Sequence, residues 1–169
     1  MEIPAFLRST GFEGFERSDG SITRVPKATA ELDMWTGEPV PDDYNGKAVL
    51  DFEGEPLFAE LVILRHLQAA GWDGAWIDTY RNRRLVGIDH PIDLPPERQA
   101  LLDDIYARAG SRAGCFDVFA WSGPKVLFAE AKRSERDQIR PTQTRWLDAA
   151  LRTGLPIDSF LIVEWNASG

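Results

Sequence analysis

Two carboxylates stand inside runs that otherwise read as β-strand core. The first run is Cys115-Phe-Asp-Val-Phe-Ala-Trp121 and the second is Val126-Leu-Phe-Ala-Glu-Ala-Lys-Arg133; Ser122-Gly-Pro124 separates them. Bulky apolar runs joined by a short turn-forming triplet predict a hairpin. Strand side chains alternate between faces, so Val126, Phe128, Glu130 and Lys132 share one side and Leu127, Ala129 and Ala131 the other. An ionised carboxylate in such a run needs a partner or a metal, because burying it alone costs too much. Asp117 and Glu130, on paired strands, are placed to meet across the hairpin and would repel unless a cation lay between them.

This pattern points to specific chemistry. Oxygen ligands without histidine favour a hard ion such as Mg²⁺ or Mn²⁺. Such an ion neutralises charge on a phosphodiester and lowers the pKa of a bound water. Lys132, two residues beyond Glu130, is expected on the same side, where an ammonium could orient that water or stabilise developing negative charge.

The surrounding chain predicts an α/β fold. Pro56 opens a helix over 57–70, with apolar residues at helical spacing until Gly71 stops it. Residues 75–80 read as a strand and 81–94 as a turn or loop. A second helix runs from Pro95 or Pro96 to about Ala109, ended by Gly110. Residues 141–153 form a third helix, with Pro141 in its first turn and Gly154 just past its end. A strand over 159–165 closes the series, giving α-β-α-β-β-α-β from residue 57. Residues 1–46 are rich in Gly, Pro, Ser and acids and lack sustained periodicity. They read as an irregular acidic arm, with short strands allowed, packed on a domain spanning 47–169. Phe6, Phe12, Phe15 and Trp35 are the expected contacts of that arm.

Composition bounds the rest. With 169 residues and 43% hydrophobic content the chain can build an ordinary core. No apolar run reaches the ~18 residues of a membrane span. The N-terminus lacks the pattern of a secretion signal, and one cysteine, Cys115, fits a reducing cytoplasm. Two distant histidines and no cysteine pair argue against structural zinc. The net charge of −8 opposes a nucleic-acid partner at first sight, since phosphate binding calls for basic surface. That charge is uneven: residues 1–60 hold 13 acidic and 5 basic side chains, whereas 61–169 hold 14 of each. Arg133, Arg136, Arg140 and Arg145 cluster around the acid-bearing strand and the helix after it, and local field matters more than total charge. A plain solvated face is the competing reading of these arginines.

Asp117 followed by Glu130-Ala131-Lys132 resembles the D…(D/E)-X-K signature of the PD-(D/E)XK nucleases. The segment Arg140-Pro-Thr-Gln-Thr-Arg-Trp-Leu-Asp-Ala-Ala-Leu-Arg-Thr-Gly154 looks like the helix that follows in the VRR-NUC branch of that superfamily. The resemblance covers roughly residues 55–165, with 114–165 the most specific part; Phe116 stands where the family name has proline. It implies a restriction-endonuclease-like core, α-β-β-β-α-β, with the helix near 95–109 inserted and a central mixed sheet flanked by helices. It also implies Mg²⁺- or Mn²⁺-dependent hydrolysis of phosphodiester bonds in DNA, RNA being equally compatible. By that resemblance Asp117 and Glu130 bind the metal, Lys132 assists catalysis and Gln143 supports the site; the Ala131 carbonyl is a candidate further ligand.

Two more residues follow from helical spacing. The family often takes an acid from its first helix, and Glu60 falls inside that helix's apolar stripe between Leu64 and Leu67. Glu60 is therefore the candidate for the first shell or a water beyond it, against a buried pair with an arginine such as Arg81. Glu55, before Pro56, is expected to cap the helix N-terminus instead. Gln143 shares a face with Trp146, Leu147 and Ala150 and points inward; satisfying backbone groups at the helix start is its alternative. A different class of function stays open: the same fold as a non-catalytic binding or regulatory module, motivated by the overall acidity. The sequence leaves the oligomeric state open, a homodimer included.

Overall fold

A computed structural model describes residues 2–168. Its centre is a mixed sheet of seven strands. These are β1 (Gly11–Glu16), β2 (Ile22–Asp33), β5 (Asp73–Asp78), β6 (Arg83–Leu85), β7 (Val118–Ser122), β8 (Lys125–Arg133) and β9 (Phe160–Ser168). A separate two-stranded ribbon pairs β3 (Leu50–Phe52) with β4 (Glu55–Leu57). The sheet order is β1-β2-β9-β8-β7-β5-β6. The contacts β2–β9 and β9–β8 are parallel and the other four are antiparallel.

Three helices cover the sheet: α1 (Ala59–Ala69), α2 (Pro96–Ala109) and α3 (Pro141–Arg152). The alternation expected for β8 is what separates the two cores. Leu127 and Ala129 pack under α1 with Leu61, Leu64, Val118 and Leu161. Val126 and Phe128 pack under α2 and α3 with Leu102, Ile105, Phe119 and Trp146. The helix read as an insertion, α2, lies beside α3 on this second face. Among the described residues no helix is long and apolar enough to cross a membrane.

The segment expected to be an irregular arm is corrected most. Residues 11–33 are an antiparallel hairpin built into the sheet, and β2 pairs with β9 from Lys27↔Ile162 to Asp33↔Ser168. Ala28, Ala30 and Leu32 point inward on one face while Thr29, Glu31 and Asp33 are exposed, a period-2 pattern masked by small and polar residues; Val25 is buried on the opposite face, with Phe15. Of the four aromatics assigned to the arm, Phe15 is fully buried and Phe6 stacks on His66, whereas Phe12 is 55% exposed beneath Arg24. Residues 81–94, read as turn or loop, include the edge strand β6. Pro56 lies in β4, not in the helix, and Glu55 does not cap α1: its two oxygens take Arg65 at 3.1 Å.

Candidate acid centre

The acids meet where one strand stops and its neighbour continues. Pairing of β7 with β8 ends at Val118↔Ala129, while β8 runs on beside β9 to Arg133. Asp117, the residue before β7, therefore faces Glu130 with no further ladder between them. Side chains replace the missing bonds. The Asp117 N–H donates to Glu130 Oε1 at 3.2 Å, and the Ala131 N–H donates to Asp117 Oδ2 at 2.9 Å. The Asp117 carbonyl accepts the Ile77 N–H at 2.6 Å, tying the site to β5. In a strand a residue's N–H and C=O leave by the same edge. The Ala131 carbonyl is thus directed toward the gap that Asp117 occupies.

Gln143 bonds in two directions. Its Nε2 donates to Glu130 Oε2, and its Oε1 accepts the Arg140 N–H at 2.9 Å, closing the first turn of α3. One buried amide therefore caps a helix and orients an acid. Gly114 lets α3 come this close: its φ is +84°, and a Cβ there would stand 2.1 Å from the Thr142 carbonyl oxygen. Side chains cannot occupy that space, and most avoid that backbone region.

Glu60 comes from α1, on the opposite face, and turns toward the same strand ends. It is 6% exposed. Its partner is Lys47, not an arginine: Lys47 Nζ lies 2.5 Å from Glu60 Oε1. Glu60 Oε2 is buried with no hydrogen-bond partner. Glu60, Asp117, Glu130, Ala131 and Gln143 line one cavity of about 210 Å³ with Lys47, Lys132 and the loop Asp137–Arg140. Three of the five buried polar residues of the described chain, Glu60, Glu130 and Gln143, belong to this centre. That concentration is hard to attribute to packing, since polar groups enter a core only with partners or a function.

Burial, with the Glu60 charge nearby, pushes the Asp117 carboxyl up to about 7 despite the Ala131 N–H and Lys47. Glu130 is held well above the ordinary carboxyl range, by burial first and by Asp117 second. Near neutrality the two acids therefore retain a proton that a divalent cation would displace. Among the described residues no three acids, imidazoles or thiols are gathered as a finished metal cage. What fits a hard ion is the donor set itself: two facing carboxylates, a strand-edge carbonyl and the unpartnered Glu60 oxygen, oxygen donors throughout.

The remaining candidates are placed as follows. Lys132 lines the cavity but its ammonium ends on Glu13 of β1 and lies 3.8 Å from Glu164 of β9. Arg133 lies over the Trp165 ring at 5.1 Å, and with Arg136 it walls an adjoining hollow beside Lys47, Glu60 and Asp137. Arg140 and Arg145 are exposed at the start of α3, lining a cleft of about 590 Å³ against Glu16 and Arg17. Cys115 is buried and free, with burial pushing its thiol far up, so it is no nucleophile. His66 is half-buried against Phe6 and Phe52. Sequence reasoning missed Lys47, Glu13 and Glu164. Only Lys47 carried a signal, as a lone cation in an acidic stretch placed directly after Asn45-Gly46. No family model, curated protein or solved structure matches this chain.

Proposed function

We propose that this protein is a metal-dependent nuclease that hydrolyses phosphodiester bonds in DNA, built on a restriction-endonuclease-like core. The observation that carries the reading is the acid pair. Asp117 and Glu130 are brought face to face in a buried gap, each fixed by backbone or amide donors, at a cost that a bound divalent cation relieves. Such an ion, held by Asp117, Glu130 and the Ala131 carbonyl, would supply Lewis acidity toward phosphate and a more acidic bound water.

The chain's own residues do the rest. Gln143 keeps the Glu130 carboxylate in one orientation, and Glu60 offers its free oxygen to the ion or to a water beside it. Arg136 and Arg140, exposed beside the cavity, and Arg145 in the next cleft supply positive charge for the flanking phosphates. In the reaction water's oxygen bonds to phosphorus as the bond to the departing sugar oxygen breaks. One water proton passes to that oxygen and the other leaves with the product phosphate or solvent.

The test is cleavage of labelled single-stranded, duplex and branched DNA with Mg²⁺ or Mn²⁺, with RNA in parallel. Asp117→Ala should lower the rate at least ~100-fold, as expected when a metal ligand is lost. Cleavage undiminished in both Asp117→Ala and Glu130→Ala defeats the assignment. The non-catalytic reading draws on one feature: Glu13 and Glu164 already neutralise Lys132. Calorimetric titration with Mn²⁺ separates the two, because a pure binding module shows no heat that depends on Asp117 and Glu130.

A further inference from the structure

We infer that Lys47, delivered by the turn ahead of β3, is the ammonium of the acid centre: it neutralises Glu60 in the metal-free protein and donates to a phosphoryl oxygen of bound substrate. This rests on the nuclease reading for its substrate but not for its place among the acids.

Position is the first argument. Lys47 lines the cavity of the acid pair, the adjoining arginine-walled hollow and the larger cleft of about 810 Å³ that runs past Asp117 to Tyr80. A side chain shared by all three spaces stands where a strand of nucleic acid entering from either side must pass. Lys132, by contrast, is engaged by Glu13 and Glu164, on strands β1 and β9. To act over the acid pair it would have to abandon both carboxylates.

Construction is the second argument. Tyr44, Asn45 and Gly46 take three successive positive φ values, 55°, 61° and 105°. Non-glycine residues rarely accept that region, and strain of this kind persists only where the surroundings fix it. Here they do. The Tyr44 hydroxyl donates to Asp78 at 2.8 Å, its ring packs edge-on against Phe58, and the Arg81 guanidinium lies 3.7 Å from its centroid. The Lys47 N–H donates to the Asp43 carbonyl at 2.8 Å. The ammonium then passes over the Phe58 and Trp76 rings, at 5.8 and 5.6 Å, before reaching Glu60. A loop held this firmly presents one side chain in one place. Ion-paired with the Glu60 carboxylate, Lys47 stands among the acids as a hydrogen-bond donor and a positive charge.

The test pairs Lys47→Met with Lys132→Met and Lys47→Arg in the full chain, each checked for wild-type circular dichroism. Mn²⁺ titration comes first. Removing a positive charge from the acids' own space should tighten Mn²⁺ about tenfold in Lys47→Met, with a clearly smaller change in Lys132→Met. Cleavage under saturating Mn²⁺ comes second. It should fall ~100-fold or more in Lys47→Met, with partial recovery in Lys47→Arg and a loss at least tenfold smaller in Lys132→Met. Equal Mn²⁺ affinities in wild type and Lys47→Met overturn the inference, as does a cleavage loss in Lys132→Met that matches that in Lys47→Met. Tighter Mn²⁺ binding in Lys47→Met together with no cleavage by the wild type refutes the nuclease reading while keeping Lys47 in the acid centre.

Discussion

At the residue scale the acid pair gives a pH signature that needs no substrate. Asp117 is raised from 3.8 to about 7 in the folded protein, so the folded state retains a proton that the unfolded chain has released. The contribution of Asp117 to stability should be fully present below about pH 4 and be lost as pH rises through 7, because at this site the native state binds the proton more tightly. Asp117→Asn should flatten this slope in urea titrations between pH 4 and 8. Gln143 gives a second readout. Gln143→Leu removes both the donor to Glu130 and the acceptor of the Arg140 N–H, and should cost about 1–3 kcal/mol in the same titrations. Gly114→Ala forces a Cβ onto the Thr142 carbonyl from a left-handed backbone, and should destabilise by about 2–4 kcal/mol while displacing Gln143.

At the element scale the decisive feature is the seam between β7 and β8. A hairpin of equal strands would pair every backbone group and leave two carboxylates squeezed together. Ending the β7–β8 ladder at Val118↔Ala129 leaves β8 from Glu130 to Arg133 without a partner on that edge, and β9 supports it from its far side. The β1–β2 hairpin supports β9 in turn. Phe15, on β1, is fully buried with Val25, Phe116 and Ile162. Phe15→Ala should therefore cost about 3–5 kcal/mol and leave one cooperative transition. Loss of β1 and β2 alone, with the remainder of the protein unfolding separately, would mean that the hairpin is an appendage. Here sequence and structure part company for a clear reason. β2 alternates through Ala28 and Ala30, too small to raise a strong hydrophobic signal, before reaching Leu32, and it holds Pro26. By contrast β7, β8 and β9 carry Phe, Val, Leu, Ile and Trp and are legible at once.

At the scale of the whole molecule, charge is the quantity to resolve. A chain of net charge −8 that binds DNA must do so through a local patch. Arg140 lines the acid cavity, Arg133 and Arg136 the hollow beside it and Arg145 the next cleft along, and four phosphate contacts would give a log–log salt slope of about −3 to −4. Fluorescence anisotropy from low to moderate salt should show that slope, and Arg140→Ala or Arg145→Ala should each lower it by about one. A flat salt response would remove these arginines from any phosphate path.

The sequence by itself determined the α/β class, the three helices, the hairpin that carries Asp117 and Glu130, and the inward faces of Glu60 and Gln143. These rest on periodicity and on the cost of burying charge, both local properties of the chain. Tertiary structure alone decided that β2 pairs in parallel with β9, more than a hundred residues away, because alternation marks a strand without naming its neighbour. It also decided which lysine faces the acids. A strand fixes the side on which Lys132 leaves, but a long flexible side chain goes to whichever carboxylates its neighbours bring within reach. Those are on β1 and β9, and the turn at 44–46 brings Lys47 to Glu60 instead.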